Sequence, residues 1–225
     1  MSFLVENRAV RFLFVDDGSS DKTWSRMEAI RSGAGDRVEL LKLADNLGKG
    51  EAVRRGILTG LQQNPSHIGY WDGDLATPLS EIPLFVSHAE ESANSFIFGS
   101  RIQRLGADIR RHWYRHYPGR FIAFWINAIL QLPVHDTQCG AKLIEAGLAR
   151  RIFSTSFVST WLFDVELFAR IIGLVGRNQA TNLIYEIPLK SWTDVGESKI
   201  APGYLPKIPI ELIKIYFTYR QQLKY

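Results

Sequence analysis

The sequence predicts an α/β fold built on a mostly parallel, mixed sheet flanked by helices, in one domain with a C-terminal helical appendage. Three observations carry that expectation. Strand and helix signals alternate through the first half of the chain, the pattern of a parallel sheet with crossover helices. The apolar runs Phe12-Leu13-Phe14-Val15 and Ile68-Gly69-Tyr70-Trp71 each end in an acidic turn, Asp16-Asp17-Gly18-Ser19 and Asp72-Gly73-Asp74. Apolar residues make up 46% and charged residues 22% of the chain, which fits an ordinary globular core and excludes disorder.

The elements follow in order. Val10–Val15 reads as a strand, and Ser19-Ser20-Asp21 supplies caps for a helix on which Trp24, Met27 and Ile30 share a face. Val38–Leu43 is the next strand. Asn46-Leu47-Gly48-Lys49-Gly50 then opens a helix that turns Val53, Ile57 and Leu61 inward. Ile68–Trp71 is a strand, Pro78 and Pro83 bracket a helix start, and Phe96-Ile97-Phe98 is a further strand. Arg111–Gln131 is expected to be helical beyond Pro118, Ala141–Ile144 a short strand and Asp164–Leu174 an apolar-faced helix. Asn182–Ile187 reads as a strand ended by Pro188. Residues 1–200 make the expected domain, and 201–225 a basic amphipathic tail.

With 225 residues the chain can bury one substantial core. Its net charge of +4 is uneven, because residues 101–120 hold six Arg against Asp108 alone. A basic surface suits phosphates, anionic lipid or nucleic acid, and no nucleic-acid recognition motif accompanies it. The single cysteine, Cys139, excludes an internal disulfide and any multi-cysteine zinc site. The start lacks the pattern of a signal peptide, and the run from Phe121 to Leu132 is too short to span a bilayer. A reducing, cytoplasmic setting is expected, with no membrane span.

The acidic turns point to chemistry. Carboxylates at the carboxyl ends of strands in an open α/β sheet line the crevice where ligands bind. Acids one residue apart, as in Asp72 and Asp74, offer hard oxygen ligands to a divalent cation carrying a diphosphate. The expectation is a metal-dependent enzyme with a nucleotide-linked substrate.

Seven motifs in order then resemble family 2 glycosyltransferases of the GT-A fold, and among them the polyprenyl-phosphate sugar synthases. They are VDDGSSDKT at 15–23, NLGKG at 46–50, DGDLATP at 72–78, GSR at 99–101, DTQCGAKL at 136–143, WLFDVEL at 161–167 and GESK at 196–199. DTQCG and FDVEL look like the dolichyl-phosphate glucose branch, and GESK is closer to the mannose branch. Family members begin with an earlier strand and an Asn-Glu-Glu turn, whereas Met1–Asn7 resembles the end of the helix that follows them. The resemblance therefore implies an N-terminally shortened version, or a different filler for the place of a central strand.

By resemblance, Asp74 and Asp72 bind Mg²⁺ or Mn²⁺, with Asp72 also near the ribose. Asp16, Asp17, Asn46, Gly48 and Lys49 hold the donor nucleotide. Arg101 and Arg115, with Ser198 and Lys199, take the acceptor phosphate, while Asp136 and Gln138 line the acceptor loop. Asp164 is either a general base or a helix cap, and Arg101, Arg115 and Asp164 form the catalytic set. The implied activity is inverting transfer of a sugar, glucose preferred, from UDP-glucose to a polyprenyl phosphate at the cytoplasmic face of a membrane. Two alternatives stand beside it: a sugar-hydroxyl acceptor with Asp164 as base, and an inactive nucleotide-sugar-binding module. The tail from Tyr204 to Tyr225 either lies in the membrane interface or docks on the domain.

Overall fold

The chain opens with a short helix, α1 (Ser2–Glu6), that buries Leu4 and brings the Phe3 ring 5.9 Å from Phe12. Phe12 begins β1 (Phe12–Asp16), which α2 (Thr23–Ala34) connects to a parallel neighbour, β2 (Val38–Lys42), in the register Phe12↔Val38 to Asp16↔Lys42. This is a computed structural model, and it describes residues 2–110, 116–195 and 207–224. Next come α3 (Lys49–Gly60), β3 (His67–Trp71), α4 (Ile82–Glu91) and β4 (Phe96–Ser100), then the short β5 (Asp108–Arg110) and α5 (His116–Leu130). The second half adds β6 (Ala141–Glu145), α6 (Ala146–Ile152), α7 (Phe163–Val175), α8 (Arg177–Leu183), β7 (Ile184–Pro188), β8 (Ser191–Thr193) and α9 (Lys207–Tyr219).

The main sheet has the order β3-β6-β4-β7. β6 runs antiparallel to both β3 and β4, and β4 runs parallel to β7. β5 and β8 form a separate parallel pair. Among the described residues β1 pairs with β2 alone and β3 with β6 alone, so the sheet is divided between β1 and β3. α3 spans the division, with Gly56 against Val15 of β1 and Gly60 against Ile68 of β3. A Cβ at Gly56 would stand 2.7 Å from Val15 Cγ2, so glycine lets the helix lie that close. The division has a cost in burial: Phe12 to Val15 are only half-buried, while all of β4 is buried.

α7 is the spine of the core. Every residue from Phe163 to Ile172 is buried, and the Phe168 ring meets Phe96 and Phe98 edge-on at 5.2 and 5.1 Å. Such edge-to-face aromatic contacts add to simple area burial. The inner face of α9, formed by Ile208, Leu212, Ile215 and Tyr219, joins this core beside α7. Arg170, on α7, is satisfied by the carbonyls of Ile152, Thr155 and Ser156 and by the Tyr219 hydroxyl, which fastens α9 and the 153–156 turn to α7.

Several boundaries differ from the sequence reading. α5 starts at His116, two residues before Pro118, because a first-turn proline loses no helical hydrogen bond. Residues 182 and 183 finish α8, so β7 begins only at Ile184. α6 is an unforeseen helix, capped by Glu145 accepting from the amides of Gly147 and Leu148. On α2 only Met27 of the expected inward face is buried, and Ile30 is exposed, because a two-stranded ribbon gives that helix little to cover.

Phe168 sets the first prediction. Phe168→Ala empties a fully buried position and should cost about 3–5 kcal/mol of unfolding free energy. Urea denaturation checks it, and a loss below about 1 kcal/mol would mean that this helix does not anchor the core.

Candidate active site

Two loops meet first. Asp17, just after β1, accepts from the amides of Leu47 and Gly48 at 2.8 and 2.9 Å, which ties the acidic turn to the start of α3. Gly18, at φ 68°, lies so close to the Asp45–Asn46 peptide that a Cβ would meet it at 2.7 Å. Asp16 is 1% exposed; its Oδ1 accepts from the Ser19 amide, while its Oδ2 is buried with no partner. Asn46 is exposed at the loop's outer edge. The donor residues expected from the sequence are thus neighbours, although both oxygens of Asp17 are already spent on the backbone.

The second acidic turn joins them through Lys49. Its Nζ stands 2.7 Å from Asp72 Oδ1 and 2.9 Å from Oδ2. Burial works against the ammonium, but Asp72 outweighs it, helped by Asp164 and Asp74, and the Lys49 pKa rises above the ordinary lysine value. On its other side the Asp72 carboxylate lies against Gly140, whose carbonyl also accepts from the Asp72 amide at 2.9 Å. A Cβ at position 140 would come within 2.1 Å of Asp72 Oδ2, so no other residue fits there without moving the carboxylate. Asp74 Oδ1 accepts from the Ala76 amide at 3.1 Å, and Leu75 between them holds φ 56°, a strained conformation for a non-glycine residue.

Gly140 is held in turn by a buried ion pair. Lys142, fully buried on β6, donates to Asp164 Oδ1 at 2.6 Å and to the carbonyls of Thr137 and Cys139 at 3.1 and 2.7 Å. Tyr70 donates its hydroxyl to the same Asp164 oxygen. Burial, and then the Asp164 charge, push the Tyr70 pKa well above the usual tyrosine range, so it stays a donor. Asp164 is 2% exposed in the first turn of α7 and does not cap that helix with its side chain. Gly50 faces Phe163 with only 3.1 Å to spare for a Cβ, which brings the start of α3 against the start of α7.

The acceptor-loop residues lie on the far side of this cluster. Arg101 grips Asp136 with Nε and Nη2, each at 2.6 Å, and its guanidinium lies 5.3 Å from the Trp192 ring. Burial lowers the Arg101 pKa and Asp136 more than restores it, so the charge is permanent. Glu186 accepts from the amides of His135 and Asp136, and so fixes the loop from β7. The Gln138 amide nitrogen and the Trp71 indole nitrogen are buried without partners. Burial pushes the Cys139 thiol up to about 11, which keeps it a packed, protonated side chain. Arg115, Ser198 and Lys199, together with the GESK motif, lie outside the described residues.

The structure thus brings Asp16, Asp17, Gly48, Lys49, Asp72, Asp74 and Asp164 to one end of the sheet and puts Arg101, Asp136 and Gln138 beside them. The sequence reading missed Gly140, Lys142 and Tyr70 as parts of the site. A lysine inside the apolar run Ala141–Ile144 was the available signal, since a charge on a buried strand needs a buried partner.

Among the described residues no group of three or more His, Cys, Asp or Glu is arranged to hold a metal ion. Asp72 and Asp74 alone suit a cation that keeps water and takes its remaining oxygens from a substrate diphosphate, which is how Mg²⁺ is usually held.

The family model for glycosyl transferase family 2 matches residues 4–153, which include the acidic turns, the α3 loop and Gly140. The chain belongs to glycosyl transferase family 2. Within this family it is 28% identical over 214 residues to dolichyl-phosphate beta-glucosyltransferase of Dictyostelium discoideum, covering 92% of this chain and 62% of that one. The same enzyme of Drosophila melanogaster is 30% identical over 209 residues, with 87% and 59% covered. The human enzyme is 27% identical over 201 residues, with 84% and 58% covered. This family 2 chain therefore spans about three-fifths of the length of those curated relatives. Glucosyl-3-phosphoglycerate synthase of Mycobacterium tuberculosis, solved with Mn²⁺, UDP and phosphoglyceric acid, shares the fold at TM-score 0.69 and 18% identity, covering 97% of this chain and 70% of that one. The GT-A fold expected from the motifs is thereby established.

Gly140 gives the prediction here. Gly140→Ala should displace the Asp72 carboxylate and weaken UDP–Mn²⁺ binding at least tenfold in calorimetry, with circular dichroism unchanged. Wild-type affinity in the alanine variant would show that Asp72 takes no part in the site.

Proposed function

We propose that this chain transfers a glucosyl group from UDP-glucose to a polyprenyl phosphate, with inversion at the anomeric carbon. The observation that carries the choice of acceptor is the state of Asp164. A sugar hydroxyl needs a base to take its proton as it attacks. Asp164 is buried, and its Oδ1 is held by the Lys142 ammonium and the Tyr70 hydroxyl, an arrangement that suits a structural ion pair better than a base presented to an acceptor. A phosphate monoester, with its second pKa near 6, is already ionised and needs none. The names of the curated relatives support the same acceptor class and glucose as the sugar.

The residues divide the work. Asp16 keeps a buried, unpaired oxygen for a nucleotide hydroxyl or base, while Asp17 holds the loop that carries Lys49. Asp72 and Asp74 would hold Mg²⁺ or Mn²⁺, which when bound neutralises the negative charge that grows on a departing diphosphate. One oxygen of the acceptor phosphate attacks the anomeric carbon, the carbon–oxygen bond to the diphosphate breaks, and the electron pair leaves with that oxygen. Arg101 holds the acceptor loop in place through Asp136, and Arg115, Ser198 and Lys199 are proposed to draw in the acceptor phosphate.

A lipid acceptor requires approach to a bilayer, and one face of the molecule suits it. Ile210, Ile213 and Phe217 on α9 and Phe124 on α5 are more than half exposed, in company with Trp125, Tyr216, Lys207 and Lys214. Apolar and aromatic side chains beside lysines fit a peripheral surface at the cytoplasmic leaflet. Among the described residues no helix is long and apolar enough to cross a membrane.

Two variants test this reading. With UDP-glucose, Mn²⁺ and polyprenyl phosphate in anionic vesicles, the protein should form a β-linked glucosyl lipid, and Asp74→Asn should lower turnover at least about 100-fold. Unchanged turnover in that variant removes the metal from the mechanism. Asp164→Ala should instead destabilise the fold by about 3–5 kcal/mol, by leaving the Lys142 charge buried and alone. A stable, soluble Asp164→Ala protein with kcat abolished would restore Asp164 as a base and favour a hydroxyl acceptor.

A further inference from the structure

Asp72 is not waiting with free oxygens. Lys49 Nζ lies within hydrogen-bonding distance of both of them, at 2.7 and 2.9 Å, so the ammonium occupies the place from which a cation would bind that carboxylate. With the ammonium spanning both oxygens, a divalent cation that took the same bidentate approach to the carboxylate would stand against a like charge at contact distance. Either Lys49 or Asp72 moves when a cation takes both oxygens.

The packing decides which. Asp72 has the shorter reach: its amide is bonded to the Gly140 carbonyl, its carboxylate packs against Gly140, and a single methylene joins the two. Lys49 has the longer one. Its side chain is about one-third exposed, reaches the site on four flexible methylenes and rests over the Phe163 ring at 5.9 Å. Only its Cα is fixed, at the first turn of α3, by the clamp that Asp17 places on Leu47 and Gly48. A lysine ammonium is a point charge without directional demands, which suits it to exchanging one anion for another.

We infer that Lys49 is a stand-in cation for Asp72, and that its transfer to the donor's diphosphate couples cation binding to nucleotide binding. This rests on the proposed metal-dependent reading of the site and adds a sequence of events to it. A cation alone must evict Lys49 and leaves the ammonium without a partner. A cation together with a diphosphate gives the displaced ammonium a new anion beside the start of α3. Each ligand therefore strengthens the other, by the same factor in both directions. Lys49 makes the site favour the cation–nucleotide pair over the cation alone.

The test uses Mn²⁺ as the probe, followed by electron paramagnetic resonance, with and without UDP, on the wild-type protein and on Lys49→Met. Lys49→Gln serves as a second variant that keeps a polar head, and Lys42→Met, which removes an exposed charge at the end of β2, controls for net charge. Both Lys49 variants should bind Mn²⁺ alone about tenfold more tightly than wild type, because nothing has to be evicted. UDP should tighten Mn²⁺ binding strongly in wild type and at least fivefold less in the Lys49 variants, while Lys42→Met tracks wild type. Lys49 variants that bind Mn²⁺ alone no better than wild type, or that keep the full effect of UDP, overturn the exchange. Mn²⁺ that binds none of the proteins, even with UDP, overturns the metal-dependent reading itself, so the two failures are separable.

Discussion

The site depends on one buried ammonium. Lys142 sits in the middle of the main sheet with no solvent contact, and it persists there because Asp164 and the carbonyls of Thr137 and Cys139 surround it. An unpaired charge in that position would be too costly for the fold to hold. The requirement to satisfy it fixes three parts of the chain together: the loop ahead of β6, the first turn of α7 and, through the Tyr70 hydroxyl, the end of β3. Gly140 lies inside that bracket, and its missing side chain is the space into which the Asp72 carboxylate fits. The position of the acidic turn thus follows from a charge two residues away from Gly140.

From there the constraints run outward in order. Asp72 holds Lys49, Lys49 begins α3, and Asp17 clamps the loop ahead of α3 to the end of β1. This chain of contacts crosses the division between β1 and β3 where strand pairing does not. α3 reinforces it, with Gly56 and Gly60 letting the helix approach β1 and β3. Side-chain clamps and one helix link the ends of β1 and β3, which share no strand pairing among the described residues. The half-burial of Phe12 to Val15, apolar residues in a row, is the consequence left at the surface.

Much of this was legible in the sequence, for identifiable reasons. The strands came from apolar runs closed by turn residues, and their acidic ends from the position of Asp16, Asp17, Asp72 and Asp74 immediately after those runs. The motifs supplied the family, and the fold followed from it. Three things were not legible. Periodicity cannot tell a satisfied charge from a solvated one, so Lys142 passed as part of an apolar strand. The role of Arg101 depends on where Asp136 lies, 35 residues away, and only the fold shows that its fork is occupied. α6 and α8 are 7 residues each, too short for a helical pattern to rise above the alternation of neighbouring strands.

The account stands or falls on where a nucleotide and its cation bind. A crystal structure grown with UDP and Mn²⁺, with the manganese located by its anomalous scattering, measures this directly. The account predicts manganese at about 2.0–2.6 Å from an oxygen of Asp72 or Asp74 and bridged to the diphosphate. Ordered UDP with its manganese away from both carboxylates, or UDP bound at another face of the sheet, would contradict it.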